Sequence, residues 1–208
     1  MNYIIIGNGG FAKECFMYLK LNKALGQDIN ILGFLSVNNS AGNLENLQHM
    51  LIGDLSNFNF TPNIKAIIGT GNPKYRKEIY DVLKSKNINM PNLTHNSTIS
   101  DDTVLGDANV IINNSFISIH CSIGNGNLFN GNVTVGHDAK IGDFNFFAPN
   151  SLILGSVVVG NLNSVGSASC LLPKSKIGNN NTIAPLSAVY KGCKDDCYML
   201  GNPALIIK

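Results

Sequence analysis

The sequence predicts a chain in two parts: a small α/β domain with a parallel sheet over residues 1–90, then an all-β parallel β-helix of hexapeptide repeats over residues 91–208. Three observations carry this. From Ile99 to Val189 every sixth residue is Ile, Leu, Val or Phe, without a miss. A period of six fits neither a helix at 3.6 nor a strand at 2, but it is the period of a hexapeptide β-helix. The third and fourth residues of the hexads read as turns, among them Asn113-Asn114, Asn125-Gly126, Gly131-Asn132, Pro149-Asn150 and Asn179-Asn180. Gly, Asn and Asp tolerate positive φ and Pro pre-sets a turn, so the corners fall where a three-sided coil needs them. Finally, residues 1–90 lack the beat and alternate strand-like and helix-like stretches, the pattern of a parallel α/β sheet.

Taken in order, Tyr3–Ile6 is a short apolar strand, followed by the turn Gly7-Asn8-Gly9-Gly10-Phe11-Ala12 and an amphipathic helix with Phe16, Leu19 and Leu21. Ile29–Leu35 and Lys65–Ile68 read as further strands and Tyr75–Lys86 as a second helix. Met90-Pro91-Asn92-Leu93 is the expected joint, because proline biases the residue before it away from helix. With three hexads per turn, residues eighteen apart stack, and at ~4.8 Å per strand about five coils rise roughly 25 Å. The beat residues then fill the interior, and the small residues two before them allow close packing. Most asparagines read as turn residues. Gly192–Lys208 leaves the repeat and is expected to pack back as a short strand.

The composition excludes several classes. A net charge of +2 with 13% charged residues gives no broad basic field, so nucleic acid is not an expected partner. The start MNYIIIGNGG has no basic n-region, and no run reaches eighteen apolar residues, so a cytoplasmic protein without a membrane span is expected. The five cysteines are scattered; Cys193 and Cys197 have no second pair, so reduced thiols rather than a metal site are expected.

His137-Asp138 occupies a corner, where a side chain points outward. Eighteen residues on, Gly155 leaves space beside the imidazole and a bare backbone N–H near it. Neutral imidazole suits proton abstraction near neutral pH, an adjacent carboxylate can orient it, and a backbone N–H can stabilise an oxyanion. The plain alternative is a surface histidine in a turn. His120, below Asp138, is either its partner or a harmless corner residue, with the second favoured. Gly7-x-Gly9-x-x-Ala12 fits a phosphate-cradling turn between strand and helix. No acidic residue stands near Ser36 to hold a ribose, which argues against NAD, and the plain alternative is a domain that only caps the β-helix.

MNYIIIGNGGFAKE, the Ile68-to-Arg76 stretch IGTGNPKYR, the Val135-to-Asp143 stretch VGHDAKIGD and the terminal Gly201-Asn-Pro-Ala204, together with the hexad array, resemble the sugar O-/N-acyltransferase family. That family is typified by the sialic-acid O-acetyltransferase and the bacillosamine acetyltransferase. Within it the chain is similar to N-acetyltransferases acting on nucleotide-linked amino sugars. The resemblance implies a Rossmann-like N-terminal domain, a left-handed β-helix and a homotrimer with sites between neighbouring copies. It implies His137 as general base, Asp138 as its support and Asn130 near the reacting group. The Gly155 N–H would meet the thioester carbonyl of acetyl-CoA, with Ser167 and Pro185, further up the same register, flanking the acyl-CoA arm. Gly9, Gly10, Phe11, Gly71 and Asn72 would receive the nucleotide sugar. Three positions depart from the family: Phe146 where some relatives have a second His, Ser36-Val37 where an Asp pair is common, and Leu205 where a basic residue is usual.

The resulting expectation is an acetyl-CoA-dependent N-acetyltransferase of a UDP-, dTDP- or GDP-linked amino-deoxy sugar, working in O-antigen or other surface-glycan biosynthesis without a metal. The alternatives are a sugar or sialic-acid O-acetyltransferase, a non-catalytic β-helix scaffold, and a metal protein of the γ-carbonic-anhydrase kind. The last needs three histidine ligands, and His95, His120 and His137 lack the required spacing.

Overall fold

In the computed structural model, which describes residues 1–207, the apolar run at the N-terminus becomes β1 (Asn2–Ile6), an interior strand of a four-stranded parallel sheet. Ile4, Ile5 and Ile6 are fully buried, the consecutive apolar run of a strand covered on both faces. Then come α1 (Gly10–Ala24), β2 (Asn30–Ser36), β3 (Leu51–Asp54), β4 (Ile64–Ile68) and α2 (Pro73–Ser85). The strand order is β3-β2-β1-β4. β3 and the 3₁₀ turn Glu45–Met50 before it have no counterpart in the sequence reading. Leu51-Ile-Gly-Asp54 is too short, and interrupted by Gly53, to show a period. α2 starts two residues earlier than Tyr75, because Pro73 sits in its first turn and the Asn72 side chain accepts from the Lys74 and Tyr75 N–H groups.

The chain divides into two compact units, residues 1–95 and, among those described, 96–207. The second is a left-handed parallel β-helix whose strands of two to four residues stack in three sheets. Pairing runs at eighteen residues, as in Thr98, Phe116, Thr134, Leu152, Cys170 and Ala188 along one side. The beat residues from Ile111 to Val189 are buried in one cluster, with Ile99 and Leu105 partly buried against it. Inside it Phe129 and Phe147 stack with ring centroids 4.9 Å apart.

Two features of this unit differ from expectation. Asn109, Asn127, Asn145, Asn163 and Asn181, each two before a beat residue, are buried as the close packing expected there requires, but their amides do more than pack. They form an internal ladder: each amide oxygen from Asn109 to Asn163 accepts from the backbone N–H and side-chain amide one coil up, or from the N–H alone at Asn181. The Nδ2 groups of Asn127, Asn145 and Asn163 also donate to the Gly142, Gly160 and Gly178 carbonyls at 2.9 Å. A buried amide satisfied in this way contributes stability, whereas one left unpaired costs about 1–3 kcal/mol. The second difference is at the C-terminal end, which does not leave the prism at Gly192. Lys176 pairs with Gly192 and Thr182 with Tyr198, so the stack continues with a coil shortened to sixteen residues. Only then does Ala204–Ile206 turn back antiparallel on Tyr198–Gly201.

The corner geometry holds throughout. Every sixth residue from Ala108 to Leu186 has positive φ, whatever its type. Asn and Gly suit this conformation; Phe144, Leu162 and Leu186 are held in it by the coil.

Candidate active site

His137 and Asp138 sit at the corner between the strands Thr134–Val135 and Lys140–Ile141, both side chains outward and exposed. The left-handed conformation of Asp138 (φ 60°) and the bond from its N–H to the Ile119 carbonyl (3.1 Å) fix the corner. Asp138 Oδ2 lies 2.6 Å from His137 Nδ1. With the Nδ1 proton donated to the carboxylate, Nε2 keeps its lone pair as an acceptor. Gly155 lies against the ring. A Cβ built on it would stand 2.7 Å from His137 Nε2 and 2.9 Å from Cε1, so no larger residue fits without moving the imidazole. The stacking read from the eighteen-residue register is therefore present.

The other expected residues of the β-helix divide. Asn130 ends the strand Leu128–Asn130, half-buried beside Ile112. Ser167 and Pro185 do not stack above His137 and Gly155. They stack on each other at a different corner, where the Leu186 N–H donates to the Ser167 carbonyl at 2.9 Å. The register of eighteen from His137 runs to Gly155 and Pro173, whereas Ser167 belongs with Pro149 and Gly131. Pro185 lines a shallow hollow of about 140 Å³ on the outer face of that side, together with Phe146, Gly166, Thr182 and Tyr198.

In the α/β unit a larger cavity, about 540 Å³, opens where the strand order reverses between β1 and β4. Such a switch point, at the carboxyl ends of parallel strands, is where open α/β sheets bind ligands. Gly9, Gly10, Phe11 and Gly71 line it. Asn72 does not; its side chain is occupied as the cap of α2. Sequence reading missed the wall made by Asn8, Val37 and Ser40. Asn8 Nδ2 donates to the Ser40 carbonyl (2.9 Å) and the Ser40 hydroxyl to Asn8 Oδ1 (3.2 Å), joining the two loops. Ser36 accounts for the missing acid: its hydroxyl donates to Asp54 Oδ2 at 2.6 Å. Burial raises the Asp54 pKa, but the hydrogen bonds from Ser36, Ser56 and Asn39 outweigh it and hold the carboxyl well below its usual range. The acid of this region thus fastens the loop rather than facing the cavity.

Arg76 ends the IGTGNPKYR stretch, within α2. It is fully buried, and its Nη1 donates to the Ile68 and Thr70 carbonyls at 2.9 and 2.8 Å. Burial lowers its pKa to about 10, so it stays charged at neutral pH beneath the Gly69–Gly71 loop. Burial pushes the nearby Cys15 thiol up to about 12, which keeps it protonated. His95 Nδ1 is 2.7 Å from Asn22 Oδ1. Among the described residues no group of three or more His, Cys, Asp or Glu side chains is arranged to hold a metal ion, and no helix is long and apolar enough to cross a membrane.

Fold and site together define a hexapeptide-repeat left-handed β-helix protein with an N-terminal α/β domain and an outward His–Asp pair. Comparison with known proteins agrees with that class. Residues 2–83 match the family model described as the PglD N-terminal domain. The acetyltransferase domain of PglB from Neisseria gonorrhoeae superposes with a TM-score of 0.86 at 21% identity, over 99% of both chains. The perosamine N-acetyltransferase of Caulobacter crescentus, solved as a His-to-Asn variant with CoA and GDP-perosamine, gives 0.86 at 20% identity, over 100% of this chain and 97% of the other. WeeI from Acinetobacter baumannii gives 0.86 at 18%, over 100% of both. No curated protein matches the chain by sequence. The fold implied by the sequence resemblance is thereby established.

Proposed function

We propose that the chain is an acetyl-CoA-dependent N-acetyltransferase that acylates the amino group of a nucleotide-linked amino-deoxy sugar destined for a surface glycan. The observation that carries this reading is the His137–Asp138 pair at 2.6 Å, with the opposite edge of the imidazole against Gly155. In the reaction the amine nitrogen attacks the thioester carbonyl carbon. His137 Nε2 accepts the proton that the amine loses, with Asp138 holding Nδ1–H. The tetrahedral oxyanion, stabilised by the Gly155 N–H, then collapses and expels the CoA thiolate. No acyl-enzyme is required, because the acceptor attacks directly. The cavity at the β1–β4 switch point would hold the nucleotide, with the N–H groups opening α1 facing the phosphates. Support comes from the whole-chain likeness to a perosamine N-acetyltransferase solved with CoA and GDP-perosamine, and to the PglB domain solved with acetyl-CoA.

Ser167 and Pro185 lie on a different corner from His137. If they flank the acyl-CoA arm while His137 takes the proton, the two corners meet only when a second copy supplies one of them. A homotrimer with sites between prisms meets this requirement, and it predicts a solution mass three times the chain's 22.3 kDa.

The test is release of CoA thiol from acetyl-CoA against UDP-, dTDP- and GDP-linked amino sugars and free sialic acid. Turnover with an amino sugar, abolished in His137→Ala with acetyl-CoA binding intact, supports the proposal. Turnover with the hydroxyl acceptor alone replaces it by the O-acetyl reading. Undiminished turnover in His137→Ala removes the general base.

A further inference from the structure

The corner that carries His137 and Asp138 continues downward into His120 and Asp102, which the proposed reaction leaves unused. Asp102, His120, Asp138 and Ser156 follow one another at eighteen-residue intervals. Higher in the stack, the N–H of the fourth corner residue donates to the carbonyl nineteen residues earlier: Asp138 to Ile119 (3.1 Å), Ser156 to His137 (2.8 Å) and Lys174 to Gly155 (3.1 Å). His120 breaks this pattern. Its N–H donates to Asp102 Oδ2 at 2.9 Å, while the Ser100 hydroxyl donates to Asp102 Oδ1 at 2.5 Å. The Ser100 hydroxyl chiefly, with the His120 N–H and imidazole, holds the Asp102 carboxyl below its usual pKa. The imidazole of His120 then bridges two carboxylates, Nε2 being 3.3 Å from Asp102 Oδ2 and Nδ1 3.6 Å from Asp138 Oδ1. The other oxygen of Asp138 is the one on His137. In its protonated form an imidazole has one donor for each of two carboxylates.

We infer that Asp102 and His120 are positioning residues, which hold Asp138 Oδ1 so that Oδ2 remains on His137 Nδ1. An aspartate that is half exposed has free rotamers, and each departure of Oδ2 releases the His137 ring and its tautomer. The His120–Asp138 separation exceeds a hydrogen bond, so the hold is electrostatic and its effect is graded rather than absolute. The inference rests on His137 being the base.

The experiment compares the full chain with His120→Ala, Asp102→Asn and His120→Arg. It follows kcat and KM with whichever acceptor of the panel turns over, and the ¹⁵N resonances of the His137 ring without substrate. In His120→Ala, kcat is expected to fall about 5–10-fold, with both KM values within about twofold of the parent. The His137 ring should pass from a single Nδ1–H tautomer to a mixture. Asp102→Asn should do the same more weakly, and His120→Arg, a cation with donors for both carboxylates, should recover most of the loss. An unchanged kcat and an unchanged His137 tautomer in His120→Ala overturn the inference. If His137→Ala is inactive in that case, the base assignment stands and only the positioning role is lost. An active His137→Ala overturns both. Circular dichroism of each variant separates these outcomes from unfolding.

Discussion

The β-helix and the α/β unit present function in opposite ways. In the β-helix, sequence distance is spatial distance: eighteen residues is one coil, so Gly155 over His137 is arithmetic before it is geometry. In the α/β unit the cavity gathers residues from the β1–α1 turn, from the loop after β2, and from the β4–α2 turn, brought together by a strand order that is not the chain order. A repeat fold exposes its site to anyone who counts, while an open sheet conceals its site until the topology is known.

The largest expected effect lies in the register-determined region. His137→Ala should lower kcat by 10²–10⁴-fold, the usual worth of a general base, without moving the melting temperature of an exposed corner. Gly155→Ala is the sharper probe, because it removes neither the imidazole nor the backbone N–H at 155 and adds only a methyl group. Its Cβ would stand 2.7 Å from Nε2, the ring must move, and a displacement of that order is expected to cost roughly 10–100-fold in kcat. Parent-like steady-state rates in Gly155→Ala would break the link between the eighteen-residue stack and the chemistry.

The next effects concern stability and compare the two interiors. Asn145→Ala removes one rung of the ladder: the Gly160 carbonyl loses its side-chain donor, Asn127 Oδ1 loses one of two donors, and the Asn163 N–H and Nδ2 lose the Asn145 oxygen as acceptor. The backbone N–H at 145 remains a donor, so the expected loss is about 2–3 kcal/mol in urea unfolding. In the α/β unit the equivalent anchor is a charge. Asp54 has a carboxyl pKa held below the value near 4 that it has when unfolded, so its charged form stabilises the fold. That stabilisation is complete above about pH 5 and fades as the pH falls through 4 and lower. Asp54→Asn should therefore flatten the fall in melting temperature of this unit between about pH 5 and 3, the parent falling more steeply; parallel curves would show that the four hydrogen bonds carry no pH-dependent stability.

How far the chain could be read before the structure follows from the same contrast. The beat, the corners and the His137–Gly155 stack were all legible, since each needs only a period. The Asn ladder was legible only in part: its place two before the beat residues marks these asparagines as inward, but that each amide bonds to the next coil depends on side-chain geometry that no period shows. Ser167 and Pro185 were misplaced for a simpler reason, an offset of twelve from Gly155 being two sides of a triangle rather than a full coil. In the α/β unit the strand β3 and the bracing by Arg76 were invisible, because a charged residue on a helix reads as solvated until it is found under a loop.

The smallest effect tests whether the coil dictates conformation to the residue or the residue to the coil. Leu186 has φ of 60° and is 76% exposed, so its side chain contributes little packing while its backbone sits where a Cβ is disfavoured. Asn132, Asn150 and Asn180 take the same conformation at equivalent corners. Leu186→Asn should therefore raise stability by about 0.5–1 kcal/mol, read as a higher urea midpoint at an unchanged slope. Phe144 is the contrasting case. Its φ is also positive, but it is buried and its ring fills the space over Gly126, so Phe144→Asn should lose more from packing than it gains from the backbone. Opposite signs at two corners of identical geometry would show that the positive φ belongs to the coil. Destabilisation at both would mean that side-chain packing, not the backbone, sets the cost of these corners.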